Sequence, residues 1–279
     1  MPELPEVETV ANGVHARVAG QRIVRVWTSG KPQTFKTPEA EIAQALTGST
    51  IECVRRVGKT IVMTVHRKKT PVEFLIHLGM TGRLLVSHAD VPMPLHTHAI
   101  VTLADGREVR FVDPRRFGRL SIHKPPAATE GQQPAASYIG SGREPLTISA
   151  DDFIALFRNR KTPIKAALLN QSLLHGVGNI YADESLFRAG IRPRHQAGRL
   201  TAEELLRLRK ALVAVLRHAI KLGGSSVSDY VDADGVRGFF QLQHKVYMRG
   251  GEPCLVCETP IKRITLAGRG THFCPNCQQ

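Results

Sequence analysis

The first ten residues, MPELPEVETV, bring together the groups that a covalent amine catalyst needs. Pro2 is small enough for the initiator methionine to be removed, which would expose its secondary α-amine. An α-amine has a pKa of roughly 8, against roughly 10.4 for lysine, so a useful fraction is neutral near pH 7. A neutral amine attacks an electrophilic carbon and forms an iminium, and the adjacent Glu3 can exchange a proton at the same centre.

A second interpretation of this segment needs no chemistry, and the residues alone leave it open. Residues 5–19 are predicted to form a helix, with Pro5 in the first turn and an apolar stripe along one face. Acidic side chains are favoured at a helix N-terminus by the helix dipole. Glu3, Glu6 and Glu8 are therefore equally explained as dipole partners.

A second group of reactive residues lies near the other end of the chain. Four of the five cysteines fall in the last 26 residues, as CLVC at 254–257 and CPNC at 274–277, with sixteen residues between the pairs. This spacing is typical of a tetrahedral zinc site. Four thiolates leave no open coordination position, so we expect one structural Zn²⁺, with these ligands: Cys254, Cys257, Cys274 and Cys277.

The charge of the chain points to a polyanionic partner. The net charge of +14 divides into +6 over residues 1–140 and +8 over residues 141–279, so the excess is not a basic tail. Phosphate contacts need Lys and Arg along a whole binding track, which favours a nucleic acid over a merely basic enzyme. No stretch approaches the roughly 20 apolar residues of a membrane span, and no signal pattern is present. A cytoplasmic protein with no membrane association is expected.

The elements that must position these residues fall into two classes, which predicts an α+β fold. Between residues 21 and 123 the chain has eight short segments rich in Val and Ile, with turn signals between them. This spacing predicts an antiparallel sandwich or barrel. After about residue 150 the pattern becomes helical. The predicted helical segments are 151–159, 162–174, 181–190 and 201–224, and a long loop is predicted over 225–240.

Between two of these helical segments, residues 175–180 read HGVGNI. Two glycines at a spacing of two, followed by Asn179, are typical of a tight helix–turn–helix connection whose exposed N–H groups bind phosphate. An ordinary interhelical turn is the alternative. Basic residues upstream of the turn favour the phosphate interpretation: Arg158, Arg160, Lys161 and Lys165.

Taken together, these features resemble the bacterial formamidopyrimidine-DNA glycosylase family, the 8-oxoguanine repair enzymes. The resemblance runs nearly end to end. Its motifs are PELPEVE at 2–8, RVGK at 56–59, HLGMTG at 77–82, DPRRFG at 113–118, HGVGNIYADESLF at 175–187 and the cysteine-rich tail. The related endonuclease VIII branch, which favours oxidised pyrimidines, typically begins PEGPE. Leu4 therefore indicates the purine branch.

The resemblance implies a three-part organisation. Residues 1–135 would form a catalytic domain, with the leading helix and an antiparallel β-sandwich. Residues 136–240 would form a helix-two-turn-helix domain, in which the 223–240 loop covers an everted base. Residues 241–279 would form the four-cysteine zinc ribbon. The implied protein is a monomer of the bacterial cytoplasm, associated with the nucleoid through DNA.

The implied activity is excision of oxidised purines from duplex DNA, followed by strand cleavage through β,δ-elimination. Pro2 would be the nucleophile at the sugar C1′ carbon, and Glu3 the acid that helps to open the sugar. Lys59 would donate a proton in β-elimination and contact a phosphate. Arg269, in the ribbon, would contact the phosphate beside the lesion and assist δ-elimination.

The resemblance also implies how the damaged nucleotide leaves the stack. Met80, Arg115 and Phe117 would enter the duplex where the base was, with Arg115 facing the orphaned cytosine. Swinging a nucleotide out costs a few kcal/mol, which a wedge of this kind offsets. Four further residues would hold the DNA backbone: His96, Arg160, Asn179 and Tyr247.

Two rivals remain at this stage. The nearer is an endonuclease VIII-type enzyme, with the same chemistry on oxidised pyrimidines. The farther is a non-catalytic zinc-ribbon protein that binds damaged DNA without cutting it, for which the Pro2–Glu3 start would have no chemical role.

Overall fold

The computed structural model describes residues 1–67, 70–125, 137–226 and 230–279. They form two units, one of Met1–Gly140 with Gly223–Gly238 and the other of Ser141–Leu222 with Phe239–Gln279. The grouping of 223–238 with the N-terminal residues is a feature that the sequence pattern did not indicate. The predicted boundary between residues 135 and 136 lies outside the described residues.

The first unit begins with helix α1, Leu4–Val18, close to the predicted 5–19. Glu3 is its N-cap, and the Glu3 N–H donates to Oε2 of Glu6 over 2.8 Å as part of a capping box. The first helical turn thus satisfies backbone donors that would otherwise have no intrahelical partner. The apolar face of α1 is buried along its whole length, from Leu4 to Val18.

Eight strands form two antiparallel four-stranded sheets, which confirms the predicted sandwich. The first sheet has the order β1 (Ile23–Thr28), β6 (Thr97–Leu103), β7 (Arg107–Val112), β5 (Arg83–His88). The second has the order β2 (Thr50–Val57), β3 (Thr60–Arg67), β4 (Thr70–His77), β8 (Arg119–His123). Side chains from both sheets and from α1 share one apolar core.

Two further features of this unit are a hairpin tip and a short helix. Strands β2 and β3 pair from Val57 with Thr60, so Gly58 and Lys59 form the tip of a hairpin. The φ of +61° at Gly58 suits glycine in that turn. A short helix, α2 (Glu39–Leu46), was not predicted; Ile42 and Leu46 are its buried residues.

Helices α3 (Ala150–Phe157), α4 (Ile164–Leu168), α5 (Asn179–Ala189) and α6 (Ala202–Lys221) build the second unit. Helix α6 begins with a capping box, in which the Glu204 N–H donates to Oγ1 of Thr201 over 3.2 Å. No helix in the described ranges has the length and apolar composition needed to cross a membrane.

The predicted helix over 162–174 was wrong in extent, because α4 ends at Leu168. Side-chain bonds to the backbone replace the helical pattern beyond that point. The Ser172 N–H donates to Oδ1 of Asn170 over 3.0 Å, and Nε2 of Gln171 donates to the carbonyls of Leu169 and Val177. Two successive turns result, and α5 starts directly after them.

The second unit ends in a hairpin of β9 (Lys262–Leu266) and β10 (Arg269–Phe273). Arg269 pairs with Leu266 at the closed end, so its exposed side chain lies at the tip. The predicted loop over 225–240 contains no helix or strand in its described residues before a 3₁₀ turn at Phe240–Gln243; residues 227–229 lie outside them.

Candidate active site

The N-terminus places a nitrogen and a carboxyl group side by side at the edge of the core. Pro2 is buried and Glu3 is 5% exposed, whereas Met1 is 50% exposed. The two residues predicted for amine chemistry are therefore buried neighbours in the chain, preceded by one surface residue. A buried acid beside a secondary amine is the pair required for iminium chemistry.

All three glutamates of this segment have structural partners, and Glu3 and Glu6 form the capping box of α1. The two carboxylate oxygens of Glu6 accept N–H groups of Glu3 and Ser225, each over 2.8 Å. Nε of Arg56 donates to Glu8 over 2.5 Å. Glu6 thereby ties the start of α1 to the 223–226 segment. Gly224 has a φ of +81°, and a Cβ there would lie 2.9 Å from Oε1 of Glu6.

A cavity of about 420 Å³ lies in the first unit beside this N-terminus. Its lining includes Met1, Thr60, Met80 and Phe117. The chain start, the strand that follows the Lys59 hairpin tip and two of the three expected wedge residues therefore surround one space. The structure brings these predicted residues together although they are far apart in sequence.

His77 also lines this cavity and was not predicted as a site residue. Burial, followed by the positive charges of Lys59 and Arg119, lowers the pKa of its imidazole, so the ring is neutral at pH 7. Its position in the HLGMTG motif was visible in the sequence. Its approach to Lys59 depends on the pairing of Thr60 with His77, which only the fold supplies.

The three expected wedge residues lie on two loops and are exposed. Met80 is 43% and Phe117 50% exposed, which is unusual for large apolar side chains and typical of a contact surface. Cζ of Arg115 lies 4.7 Å from the centroid of the Phe117 ring, in cation–π contact. The guanidinium and the ring are thus already stacked on each other.

His96 lies at the end of the 89–96 loop, just before β6, and is exposed. Its φ of +65° is in the left-handed region, which non-glycine residues seldom adopt. The carbonyl of His96 accepts the N–H of Asp113 over 3.0 Å, so a specific contact holds the residue in this conformation.

In the second unit, the structure brings Asn179 close to the tip that carries Arg269. Asn179 is the first residue of α5, and its Nδ2 donates to the carbonyl of Gly270 over 2.9 Å. The amide of Asn179 keeps one further N–H, and Arg269 is exposed beside it. Two side chains that were predicted to contact phosphate therefore lie at one place on this unit.

Asp183, in α5, fixes the ribbon hairpin from below the tip. Its Oδ1 lies 2.7 Å from Nζ of Lys165, and its Oδ2 accepts the N–H of His272 over 2.9 Å. Lys165 also donates to Oγ1 of Thr271 over 2.7 Å. Asp183 and Lys165 are 0% and 1% exposed, so this is a buried ion pair with further hydrogen bonds.

Glu184, the next residue of α5, holds a different segment. Its carboxylate accepts the backbone N–H groups of residues 245–247 over 2.9–3.0 Å. Burial raises the pKa of Glu184, and the three N–H groups act in the opposite direction. Tyr247, an expected DNA contact, is half-buried on this segment, and its ring lies 5.4 Å from that of His272.

Arg160 was also predicted to contact DNA, but its hydrogen bonds are with a different part of the second unit from those of Asn179, Arg269 and Tyr247. Its Nε donates to the carbonyl of Leu156 in α3, which ends before Arg160, and its carbonyl accepts the N–H of Gly198 over 2.8 Å. Within the described residues, its contacts are with α3 and the 196–199 turn. Its side chain is half-buried there.

The four clustered cysteines form a metal-binding site. Their Sγ atoms all lie within 4.8 Å of one another, with Cys257 3.4 Å from Cys274 and Cys254 3.9 Å from Cys277. Tetrahedral zinc–sulfur bonds of about 2.3 Å place sulfurs about 3.8 Å apart, so the residues fit such an ion. Hydrogen bonds from Thr259 and others lower the pKa of the Cys257 thiol to about 5, whereas burial raises the pKa of the Cys274 and Cys277 thiols.

Family models match three successive parts of the chain. Residues 1–120 match the formamidopyrimidine-DNA glycosylase N-terminal domain. Residues 142–231 match the H2TH domain of the same proteins, and residues 251–279 match the zinc finger found in FPG and IleRS. The three matches correspond to the sandwich, the two-turn helical part and the four-cysteine ribbon described above.

Relatives and solved structures are similar to this chain over its full length. The formamidopyrimidine-DNA glycosylases of Solibacter usitatus and Gluconobacter oxydans are 44% and 42% identical, with 100% of each chain covered. The Thermus thermophilus Fpg crystal structure has a TM-score of 0.84 at 40% identity, covering 99% of this chain and 98% of that one. A Lactococcus lactis Fpg variant bound to Fapy-dG DNA has a TM-score of 0.86 at 32% identity, with both chains fully covered. The chain belongs to the formamidopyrimidine-DNA glycosylase family.

Proposed function

We propose that this chain is a bifunctional DNA glycosylase and AP lyase that removes oxidised purines, 8-oxoguanine and formamidopyrimidines, from duplex DNA in base excision repair. The observation that carries the proposal is the buried Glu3 carboxyl group beside the Pro2 nitrogen, covered by the surface residue Met1. The family supports it, since solved neighbours include Lactococcus lactis Fpg bound to Fapy-dG DNA and to abasic-site DNA.

The chemistry begins at the freed Pro2 amine. The neutral nitrogen attacks C1′ of the damaged nucleotide, and the bond from C1′ to the base breaks as the base leaves. Glu3 donates a proton to the sugar ring oxygen, the ring opens, and an iminium joins Pro2 to C1′. Loss of the acidic 2′ proton then expels the 3′ phosphate, and a second elimination expels the 5′ phosphate.

Two cations have proposed roles in these eliminations. Lys59, at its hairpin tip, donates a proton and contacts a phosphate. Arg269, at the ribbon tip, contacts the phosphate beside the lesion and assists the second elimination. Burial lowers the pKa of His77 most, and the positive charges of Lys59 and Arg119 lower it further. These two neighbouring cations support the first role, because they would attract a phosphate.

Extrusion of the damaged nucleotide is assigned to the exposed side chains of the first unit. Met80, Arg115 and Phe117 fill the space left in the stack, with Arg115 facing the orphaned cytosine. Backbone contacts are assigned to His96, Arg160, Asn179 and Tyr247. We further assign the cover of the everted base to the 223–240 loop.

The metal, the assembly state and the compartment complete the proposal. One structural Zn²⁺ is held by Cys254, Cys257, Cys274 and Cys277, because four sulfur ligands in this spacing suit zinc. It fixes the ribbon that carries Arg269 and takes no part in bond breaking. The protein acts as a monomer in the bacterial cytoplasm, on duplex DNA of the nucleoid.

The purine specificity has a direct test. We expect faster excision of 8-oxoguanine opposite cytosine than of thymine glycol opposite adenine, in matched duplexes with single-turnover kinetics. The comparison is needed because one solved neighbour is Lactococcus lactis Fpg with DNA that contains an oxidised pyrimidine. A preference for thymine glycol would favour the endonuclease VIII-type activity.

Borohydride reduction separates the enzyme from a non-catalytic binder. An active lyase forms an iminium with lesion DNA, and reduction fixes the protein covalently to the strand. We expect a stable complex on denaturing gels with 8-oxoguanine DNA and none with undamaged DNA. Binding of damaged DNA without any covalent complex would contradict the proposed activity.

A further inference from the structure

Asp113, the first residue of the DPRRFG motif, is 0% exposed and lies between three loops of the first unit. These loops carry the residues that the proposed function assigns to the DNA. We propose that Asp113, through the hydroxyl group of Thr81, is the positioning residue that holds the wedge in its inserting geometry and so sets the discrimination of the base opposite the lesion. The proposal rests on the proposed function of the wedge.

The carboxylate of Asp113 makes three hydrogen bonds to two loops. Oδ1 accepts the hydroxyl of Thr81 over 2.6 Å and the N–H of Arg115 over 3.2 Å. Oδ2 accepts the N–H of Gly118 over 2.7 Å. Thr81 follows Met80 directly, and Arg115 and Gly118 flank Phe117 in the chain. One side chain therefore links the loop of Met80 to both ends of the loop that carries the stacked arginine and ring.

The backbone of Asp113 extends the link to a third loop. Its N–H donates to the carbonyl of His96 over 3.0 Å, which holds that residue at its positive φ. Its carbonyl lies 3.0 Å from Nε2 of His98, whose Nδ1 lies 3.0 Å from the hydroxyl of Ser29. Met80, Phe117 and His96 thus all depend on the position of one residue.

The backbones of the two wedge loops approach each other closely beside this link. Gly79 has a φ of +66°, and a Cβ there would lie 2.5 Å from the backbone N of Gly118. A Cβ at Gly118 would lie 2.5 Å from the Phe111 ring and 3.1 Å from Oδ2 of Asp113. The glycines leave no side chain to pack between the two loops, so the carboxylate hydrogen bonds help to fix their relative position.

A wedge that is already fixed before DNA binds should insert into the duplex at a lower cost in conformational entropy. Exposed side chains lose conformational freedom when they enter a duplex, and a wedge whose backbone is already fixed loses less. Arg115 must also reach the orphaned base in one geometry to distinguish cytosine from adenine. A loosened loop lowers both the rate of excision and the discrimination.

The chemistry of the carboxylate makes the proposal testable with small changes. A carboxylate only accepts hydrogen bonds, whereas an asparagine amide presents one oxygen and one NH₂ group. In Asp113→Asn the NH₂ group therefore replaces one acceptor oxygen. It faces either the Gly118 N–H or the Thr81 and Arg115 donors, and the hydrogen bonds on that side are lost. Thr81→Val removes the hydroxyl alone and keeps the shape, and Thr81→Ser restores the hydroxyl.

A matched control exists in the same unit. Thr102 is a threonine of β6 whose hydroxyl is buried and has no hydrogen-bond partner among the described residues. Thr102→Val therefore makes the same chemical change as Thr81→Val without loss of a hydrogen bond. It reports any general effect of replacing a threonine in this sheet.

The experiment measures kcat/KM for excision of 8-oxoguanine opposite cytosine and opposite adenine, with borohydride trapping on a single-stranded abasic site as a wedge-independent readout. For Asp113→Asn and Thr81→Val we expect about a 10-fold loss opposite cytosine, a cytosine-to-adenine ratio that falls toward one, and unchanged trapping. Thr81→Ser should recover the ratio, and Thr102→Val should keep it.

Arg115→Ala, measured in parallel, separates the inference from the function on which it rests. A ratio that falls in Arg115→Ala but not in Thr81→Val or Asp113→Asn overturns the inference alone. A ratio unchanged in Arg115→Ala overturns the proposed role of the wedge and the inference with it. Equal losses of excision and of single-stranded trapping in Thr81→Val would mean a folding defect and would also overturn the inference.

Discussion

At the scale of single residues, the proposed chemistry needs two neighbours at the chain start, Pro2 as the nucleophile and Glu3 as the acid. In the proposed mechanism, Pro2 supplies an α-amine, whose ordinary pKa lies below that of lysine, once the exposed Met1 is removed. Glu3 is buried as the N-cap of α1, and Glu6 and Glu8 contact Ser225 and Arg56. All three glutamates therefore have structural partners, and we assign the proton exchange to Glu3 because it is the residue next to Pro2 in the chain.

These two roles predict that Glu3→Gln loses base excision but keeps iminium formation. Without a proton donor, opening of the sugar slows, and base excision should fall by about 10²–10⁴-fold. Trapping on a preformed abasic site should persist, because the sugar there is already free to open. Single-turnover excision and borohydride trapping measure the two steps. Glu8→Gln, whose ion pair is partly exposed, should leave both intact; wild-type excision by Glu3→Gln would refute the role of Glu3.

At the scale of elements, helix α5 organises the second unit. Its first residue, Asn179, reaches the ribbon tip, Asp183 holds the hairpin below it, and Glu184 holds the segment of Tyr247. The ribbon hairpin and the 245–247 segment, both proposed to contact DNA, are therefore fixed to one helix. The two adjacent carboxylates act on different segments of the chain.

The buried pair of Asp183 and Lys165 gives a prediction for this helix. Lys165→Met leaves the Asp183 carboxylate without its cation in a dry site, which typically costs about 3–5 kcal/mol. We expect a lower Tm for the unfolding of this unit and weaker binding of abasic-site DNA. Lys161→Met, at an exposed lysine nearby, is the control. Equal stability of the two variants would show that Asp183 is compensated in another way.

A second prediction at this scale concerns pH. His244 is buried between the Phe240 and Tyr247 rings, and burial lowers its pKa from 6.5 to about 4. Between these values the unfolded chain binds a proton that the folded chain does not, so stability falls as pH decreases. The loss should reach about 1 kcal/mol by pH 5.5.

Thermal denaturation at pH 7 and pH 5.5 measures this effect. His244→Phe should lose part of the acid sensitivity of the wild type, and His88→Gln, at an exposed histidine, should keep all of it. If His244→Phe retains the full decrease in Tm between the two pH values, another group must be responsible.

The elements also indicate how far the sequence could lead. All eight strands could be predicted because each is a short segment rich in Val and Ile, and such a pattern depends only on residues that are neighbours in the chain. Helix α2 was missed because it is short and buries only Ile42 and Leu46. Helix α4 was predicted too long because the side chains of Asn170 and Gln171 bind the backbone, which apolar periodicity does not register.

The same distinction separates the predictable from the unpredictable parts of the site. The Pro2–Glu3 pair and the cysteine spacing are contiguous patterns. The bond from Ser225 to Glu6 joins residues 219 apart, and those from residues 245–247 reach Glu184 across more than sixty positions. Partners at such distances become neighbours only through the fold.

At the scale of the whole molecule, a basic charge is carried by both halves of the chain, and a four-cysteine cluster lies in the part that carries Arg269. The four sulfur atoms lie within 4.8 Å of one another, close enough to bind a single ion, and Cys53 lies in β2. Metal binding of this kind contributes folding energy directly to a small ribbon.

Metal analysis tests this part of the account. We expect one zinc per chain, lost in Cys257→Ala together with specific DNA binding, while the β-sheet signal of the first unit persists in circular dichroism. Cys53→Ala should keep the zinc. Full binding of damaged DNA by a zinc-free protein would contradict a role for the ribbon.

The central claim is that the nitrogen of Pro2 forms the covalent bond with the sugar. Borohydride trapping with 8-oxoguanine DNA, followed by proteolysis and mass spectrometry of the DNA-linked peptide, tests it most directly. The account predicts that Met1 is absent and that the adduct lies on the Pro2 nitrogen. An adduct on Lys59 or another lysine, or an active protein that retains Met1, would contradict it.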